Sequence, residues 1–224
     1  MALFLDRLLG IFSSDLGFMV LCWVIEEVAG IRLDRFVMEN IYHPLGLKTM
    51  LFLPVDKKPP VAEFAATEKC PWRGKLLEGV VHDDNAYSVG GIEGHAGLFG
   101  TAGDVFDLLS ELMAVYQGSV STGVFDVDLT QHFLSLNEQN GRALGFDTPS
   151  SKGSSCGRYF SKRTVGHLGF TGTSFWMDLD RAIIVILLTN RIHPSRDNNR
   201  IKAFRPKLHD TVMANFANGQ SPKC

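Results

Sequence analysis

No stretch of this 224-residue sequence concentrates positive charge: Lys and Arg are scattered and the formal net charge is -2. A basic patch of the kind that neutralises a phosphate backbone is therefore missing, and nucleic acid is not an expected partner. Cysteine is scarce as well. Cys22, Cys70, Cys156 and Cys224 lie far apart, form no C-x-x-C pair and do not combine with the histidines into a zinc-ligand spacing. They read as free thiols, and neither a metal nor a cofactor is expected. Long apolar runs are missing too, since Leu16 to Ile25 ends in Glu26-Glu27, well short of the ~20 residues a bilayer span needs. Met1 to Phe12 is apolar but carries Asp6 and Arg7 and lacks both a positive leader and a small-residue cleavage site. As written, the chain reads as soluble and cytoplasmic; an export signal ahead of Met1 would make it periplasmic or exported.

What is present suits a globular domain able to bury a sizeable core, with 45% hydrophobic and 21% charged residues. Ser14 or Asp15 can cap a helix that runs to Ala29 and stops at Gly30, and its apolarity on nearly all sides predicts burial on most of them. A second helix is expected from Asp34 to about His43, ended by Pro44. Pro54 to Gly79 reads as a surface excursion. The glycines from Gly90 to Gly103 exclude a stable helix and point to close backbone packing, and Thr101 with Asp104 starts the next helix, which runs to about Tyr116. A shorter helix is expected near Leu129 to Leu136.

Downstream of the Gly/Ser-rich stretch Ser150 to Gly157 the pattern changes to strand. Thr173 to Asp178 alternates, Asp178 to Arg181 is a turn, and Ala182 to Thr189 is a β-branched run, together predicting a hairpin with a buried second strand. A final helix from about Ile201 to Phe216 carries Phe204, Leu208, Val212 and Phe216 at helical spacing, suited to packing across that sheet. The fold class expected is α+β, an antiparallel sheet with a C-terminal helix packed on it plus a helical region, in one domain over 1–224.

Three stretches carry a resemblance. The first runs from Ser14-Asp-Leu-Gly-Phe-Met through Glu26-Glu-Val-Ala-Gly30 to Ile41-Tyr-His-Pro-Leu-Gly-Leu47. The second is Val81-His-Asp-Asp-Asn-Ala-Tyr87 leading into Gly90-Gly-Ile-Glu-Gly-His-Ala-Gly-Leu-Phe-Gly-Thr-Ala102. The third is Gly166-His-Leu-Gly-Phe-Thr-Gly-Thr-Ser174 followed by Ala182-Ile-Ile-Val-Ile-Leu-Leu-Thr-Asn190. In this order they resemble the serine β-lactamase and penicillin-binding protein family, in its class C, DD-peptidase and esterase-like branch. The resemblance implies a β-lactamase/transpeptidase-like fold and hydrolysis of a small-molecule or peptide substrate (a β-lactam, a D-alanyl peptide or a small ester) through an acyl-enzyme.

In that family a Ser-x-x-Lys places hydroxyl and amine on one helix face so that the amine can take the proton. No lysine of this sequence has a serine three residues before it. The resemblance thus puts the nucleophile helix and the first strands before Met1, leaving a partial domain that is inactive or nearly so alone. His167, Leu168 and Gly169 fall on the family's His-Thr-Gly strand, with the Phe170 N–H as the implied oxyanion donor. Leu168 replaces a hydroxyl that would bond a substrate carboxylate. Ser13, Ser14 and Asp15 fall on the Tyr-x-Asn position without its phenol.

Competing readings stand beside these. Ser13 or Ser14, with Asp15, could serve with His167 in an independent esterase, although Ser-Ser-Asp is more commonly a helix cap. His95 is a secondary site candidate or a loop histidine held by backbone. His82-Asp83-Asp84 reads as a solvated loop, because adjacent residues on an extended segment point to opposite faces. A sheet without its first strands would expose an edge and an apolar face, so a homo-oligomer, or a partner chain completing the sheet, is expected.

Overall fold

The computed structural model describes residues 15–59, 63–119, 121–137 and 141–217. Ser13 and Ser14 lie outside them. Helix α1, Asp15–Ala29, ends where Gly30 takes a left-handed φ of 68° and its N–H donates to Glu26 O at 2.9 Å. Glu26 also accepts from the Leu33 N–H at 2.8 Å, so one side chain anchors the start of α2, Leu33–Val37, which continues into a π-helical turn over Met38–Tyr42.

The expectation that α1 is buried on most sides is corrected by the structure. Only Met19 and Cys22 are buried, with Cys22 packing on Leu33 and Ile92. Leu16, Val20, Val24 and Val28 recur every fourth residue on the opposite side, and Val28 is 83% exposed. Apolar character identified a helix with two apolar faces; only one has a partner among the described residues.

Strand β1, Leu51–Phe52, pairs antiparallel with β4, Leu98–Phe99, and the hairpin β2–β3 joins Lys69–Cys70 to Lys75–Leu76. Between them α3, Asp84–Ser88, is capped by the Asp83 carboxylate, which accepts from the Ala86 N–H at 2.8 Å. The glycine loop then packs as expected of close backbone contact: a Cβ on Gly91 would meet Leu53 O, and one on Gly94 would collide with Phe18 O.

The main sheet is an antiparallel meander of β5, Thr164–Leu168, β6, Ser174–Asp178, and β7, Ile183–Leu187, with His167 opposite Phe175 and Leu168 opposite Ser174. Asp178 is fully buried and its carboxylate accepts from the Asp180 and Arg181 N–H groups, so the turn is tied to its own first residue. Ala182 takes a left-handed φ of 54°, which starts the strand at Ile183 instead of Ala182. Strand β7 is less buried than its sequence implies, because it is an edge: only Val185 is buried, and its outer side has no strand partner among the described residues.

Alternation divides the sheet's two faces. Val165 and Met177 join Leu109 and Met113 of α4, Ala102–Tyr116, and Leu134 of α5, Val127–Leu134, in the largest core cluster. On the other face the Trp176 indole lies over Gly166, where any side chain would strike it. Helix α6, Ile201–Ala217, is tied in through Arg205, whose guanidinium bonds the β5–β6 turn, and through fully buried His209, whose Nδ1 donates to Ser155 O at 2.9 Å. Among the described residues no helix is long and apolar enough to cross a membrane.

Candidate functional site

The end of β5 carries four of the residues singled out by sequence, His167, Leu168, Gly169 and Phe170. His167 is half-buried, with the Phe18 ring of α1 edge-on to it at 6.4 Å. Its Nδ1 donates to Leu168 O at 3.2 Å, which leaves Nε2 as the ring atom open to a further partner. By strand alternation the Leu168 side chain points to the opposite face from His167. Gly169 is required by close approach: its N–H donates to Thr173 O at 2.8 Å and a Cβ would collide with Thr173 Oγ1. Phe170 follows, 59% exposed: His82 stacks on its ring at 5.6 Å and the Arg191 guanidinium lies 4.3 Å from its centroid. No acceptor among the described residues takes the Phe170 N–H.

Two arginines that sequence reasoning passed over hold this turn. Arg191 donates through Nε to Phe170 O at 2.8 Å and through Nη1 to Arg196 O and Asn198 O. Arg205, buried, donates through Nη2 to Gly169 O at 2.9 Å and to Thr173 O at 2.7 Å. Burial, and then the neighbouring Arg191 charge, lower its proton affinity below that of a free guanidinium, yet an arginine stays cationic. Nothing local in the sequence marks Arg205, since arginine on a helix is by default solvated.

His82 is a correction. It is buried, not part of a solvated loop, because Asp83 and Asp84 turn the chain into α3 at once and Glu68 arrives from the β2–β3 hairpin to meet the imidazole. His82 Nε2 donates to Glu68 Oε2 at 3.0 Å. Arg196 grips the same carboxylate, with Nη2 2.7 Å from Oε2 and Nε 2.9 Å from Oε1, and this holds the Glu68 pKa down at about 2 against the cost of burial. Arg196 Nη1 reaches on to Asp84, which Arg73 also binds.

His95 pairs with Asp83, its Nε2 donating to Oδ1 at 2.9 Å, while Nδ1 is buried with no partner among the described residues. Burial opposes ionisation of Asp83, but the Ala86 N–H and His95 outweigh it and keep its pKa low. Beside this pair Trp23 donates to buried Glu93, whose second oxygen has no partner among the described residues. Phe18 links the groups: its ring meets His167 and its carbonyl abuts Gly94, next to His95. His167, Leu168, Gly169 and Phe170 thus form one run at the end of β5, whereas His95 pairs with Asp83. Asp15 is the exposed first residue of α1.

The arrangement offers an open N–H with cationic charge on the carbonyl side of the same peptide, which suits stabilisation of negative charge developing on a substrate oxygen. Comparison with known proteins bears on which chemistry this is. The β-lactamase family profile matches residues 10–207. An Escherichia coli K12 protein named "Putative D-alanyl-D-alanine carboxypeptidase" is 33% identical over 195 residues, covering 80% of this chain and 45% of that protein. A Bacillus subtilis N-acetylmuramyl-L-alanine amidase is 34% identical over 196 residues, covering 80% and 44%. Among solved structures, a β-lactamase from Mycobacterium bovis superposes with a TM-score of 0.60 at 18% identity, over 92% of this chain and 64% of that one. The chain spans about half the length of the curated relatives it matches.

Proposed function

The chain belongs to the β-lactamase family of serine hydrolases, which includes the penicillin-binding proteins, and on that premise we propose that it supplies the substrate-facing half of an acyl-transfer site. In this reading Phe170 N–H is the oxyanion donor, His167 is the electrostatic residue beside it, and Gly169 lets the turn close behind the substrate. Leu168 leaves the strand without the hydroxyl that would hold a substrate carboxylate, which favours small ester or amide bonds over substrates anchored by that group. The observation that carries the proposal is the unengaged Phe170 N–H at the exit of β5, three residues after His167, in a sequence with no Ser-x-x-Lys.

Hydrolysis through a covalent intermediate needs a nucleophile, so the chain by itself is inactive or weakly active. The unpaired outer edge of β7 and the exposed stripe of α1 support completion by further strands and a serine-bearing helix that these residues do not include. Assay of the purified chain with a chromogenic cephalosporin and a p-nitrophenyl ester, alongside Ser13→Ala, Ser14→Ala and His167→Ala, tests this. Background turnover alone is expected, with turnover on adding a chain that carries Ser-x-x-Lys. Turnover by the chain alone that disappears in a serine variant would overturn the proposal in favour of an independent esterase.

A further inference from the structure

We infer that Arg205 is a positioning residue that aims and polarises the Phe170 N–H, making it a charge-assisted anion donor. This inference rests on the acyl-transfer reading for its biological purpose, but not for its physical content. A peptide bond is planar and trans, so its C=O and N–H point in opposite directions. The peptide joining Gly169 to Phe170 has its carbonyl oxygen bonded to the Gly172 N–H at 3.1 Å and to Arg205 Nη2 at 2.9 Å. Its N–H is thereby directed away from Arg205 and left without an acceptor among the described residues.

Gly169 has no side chain to fix that plane, so the orientation depends on these bonds. Arg205 also bonds Thr173 O, the acceptor of the Gly169 N–H, and so grips both ends of the turn.

Charge makes the arrangement more than a brace. Arg205 and Arg191 have only carbonyl oxygens as hydrogen-bond acceptors, and neither forms an ion pair with a carboxylate among the described residues. A buried cation without a counter-ion is costly, and a neutral donor would have braced the turn at lower cost. What a cation adds is polarisation: electron density drawn toward Gly169 O leaves the Phe170 proton more positive, as stabilisation of a substrate oxyanion requires.

Amide hydrogen exchange reads this property directly. Hydroxide removes the Phe170 amide proton to give water and a peptide anion whose charge is shared between nitrogen and Gly169 O, the atom Arg205 touches. The cation therefore accelerates base-catalysed exchange, whereas loosened structure also accelerates exchange, so loss of the cation and loss of structure move the rate in opposite directions.

The experiment measures Phe170 exchange by NMR at fixed pH in the intact chain, in Arg205→Gln, which keeps a donor but not the charge, and in Arg205→Lys, which keeps the charge. Arg205→Gln is expected to slow exchange about ten-fold, and Arg205→Lys to stay within about three-fold of the parent. An unchanged or faster rate in a folded Arg205→Gln, judged by unmoved β6 and α4 resonances, overturns the inference. Should that variant not fold, the parent rate decides: at or above the rate of an unstructured chain of this sequence supports the inference, and ten-fold below it overturns it. An inactive assembled site with slowed Arg205→Gln exchange would defeat the acyl-transfer reading alone; activity with unaltered exchange would defeat this inference alone.

Discussion

The Phe18 ring meets the His167 imidazole edge-on, with centroids 6.4 Å apart and planes at 84°, and this contact joins the first turns of α1 to the end of β5. The same residue's carbonyl oxygen lies where a Gly94 side chain would be. Gly94→Ala must push the α1 backbone away, at a cost of about 1–3 kcal/mol, and shift the His167 ring resonances. Gly103→Ala, in the first turn of α4 with its nearest atom 3.8 Å off, is expected to be neutral or to stabilise by up to about 1 kcal/mol. Chemical denaturation of both variants checks the contrast.

Acid should weaken the packing behind His82. The Glu68 pKa falls from its usual 4.5 to about 2 in the folded chain, chiefly through Arg196. A depressed acid contributes stability that is present above the unfolded pKa and is lost as pH falls toward the folded one. The loss here amounts to roughly 3 kcal/mol between pH 4.5 and 2. Glu68→Gln should be less stable at neutral pH and should lack that part of the acid slope, measured by urea unfolding across the window.

Asp104 joins α4 to the segment before β1. Its carboxylate accepts from the Thr49 N–H, from Thr49 Oγ1 at 2.8 Å and from the Met50 N–H at 3.2 Å. Asp104→Ala leaves the Thr49 and Met50 N–H groups unpaired and is expected to cost about 2 kcal/mol, whereas Thr101→Ser keeps the helix cap and should cost less than about 0.5 kcal/mol. Thermal melts of the two variants compare them.

The apolar stripe of Leu16, Val20, Val24 and Val28 predicts self-association. Val20→Lys with Val24→Lys should shift sedimentation toward a single copy without lowering helix content. A parent chain that sediments as a monomer at tens of micromolar would contradict this.

Local chemistry decided how much was legible in sequence. The β6–β7 hairpin, the Thr101 cap and the close-packed glycines follow from period, turn residues and missing side chains, all short-range signals. The exposed face of α1 was not legible, because apolarity on nearly all sides of a helix names no partner. His82 was misread because its burial depends on Glu68, 14 residues earlier, and on Arg196 gripping that carboxylate from 128 residues away. Arg205 was missed because its acceptors are carbonyl groups 32 and 36 residues back, which leave no trace in residue type. Of the proposed site, the run His167 to Phe170 is a local motif that sequence can offer as a candidate, and the arginines bonded to its carbonyl groups are not.

Intact-mass spectrometry after incubation with a β-lactam and a p-nitrophenyl ester tests the half-site account most directly. The account predicts an unmodified chain alone and, when a chain bearing Ser-x-x-Lys is added, an acyl adduct confined to that chain's serine. An acyl adduct forming on a serine of this chain by itself would contradict it.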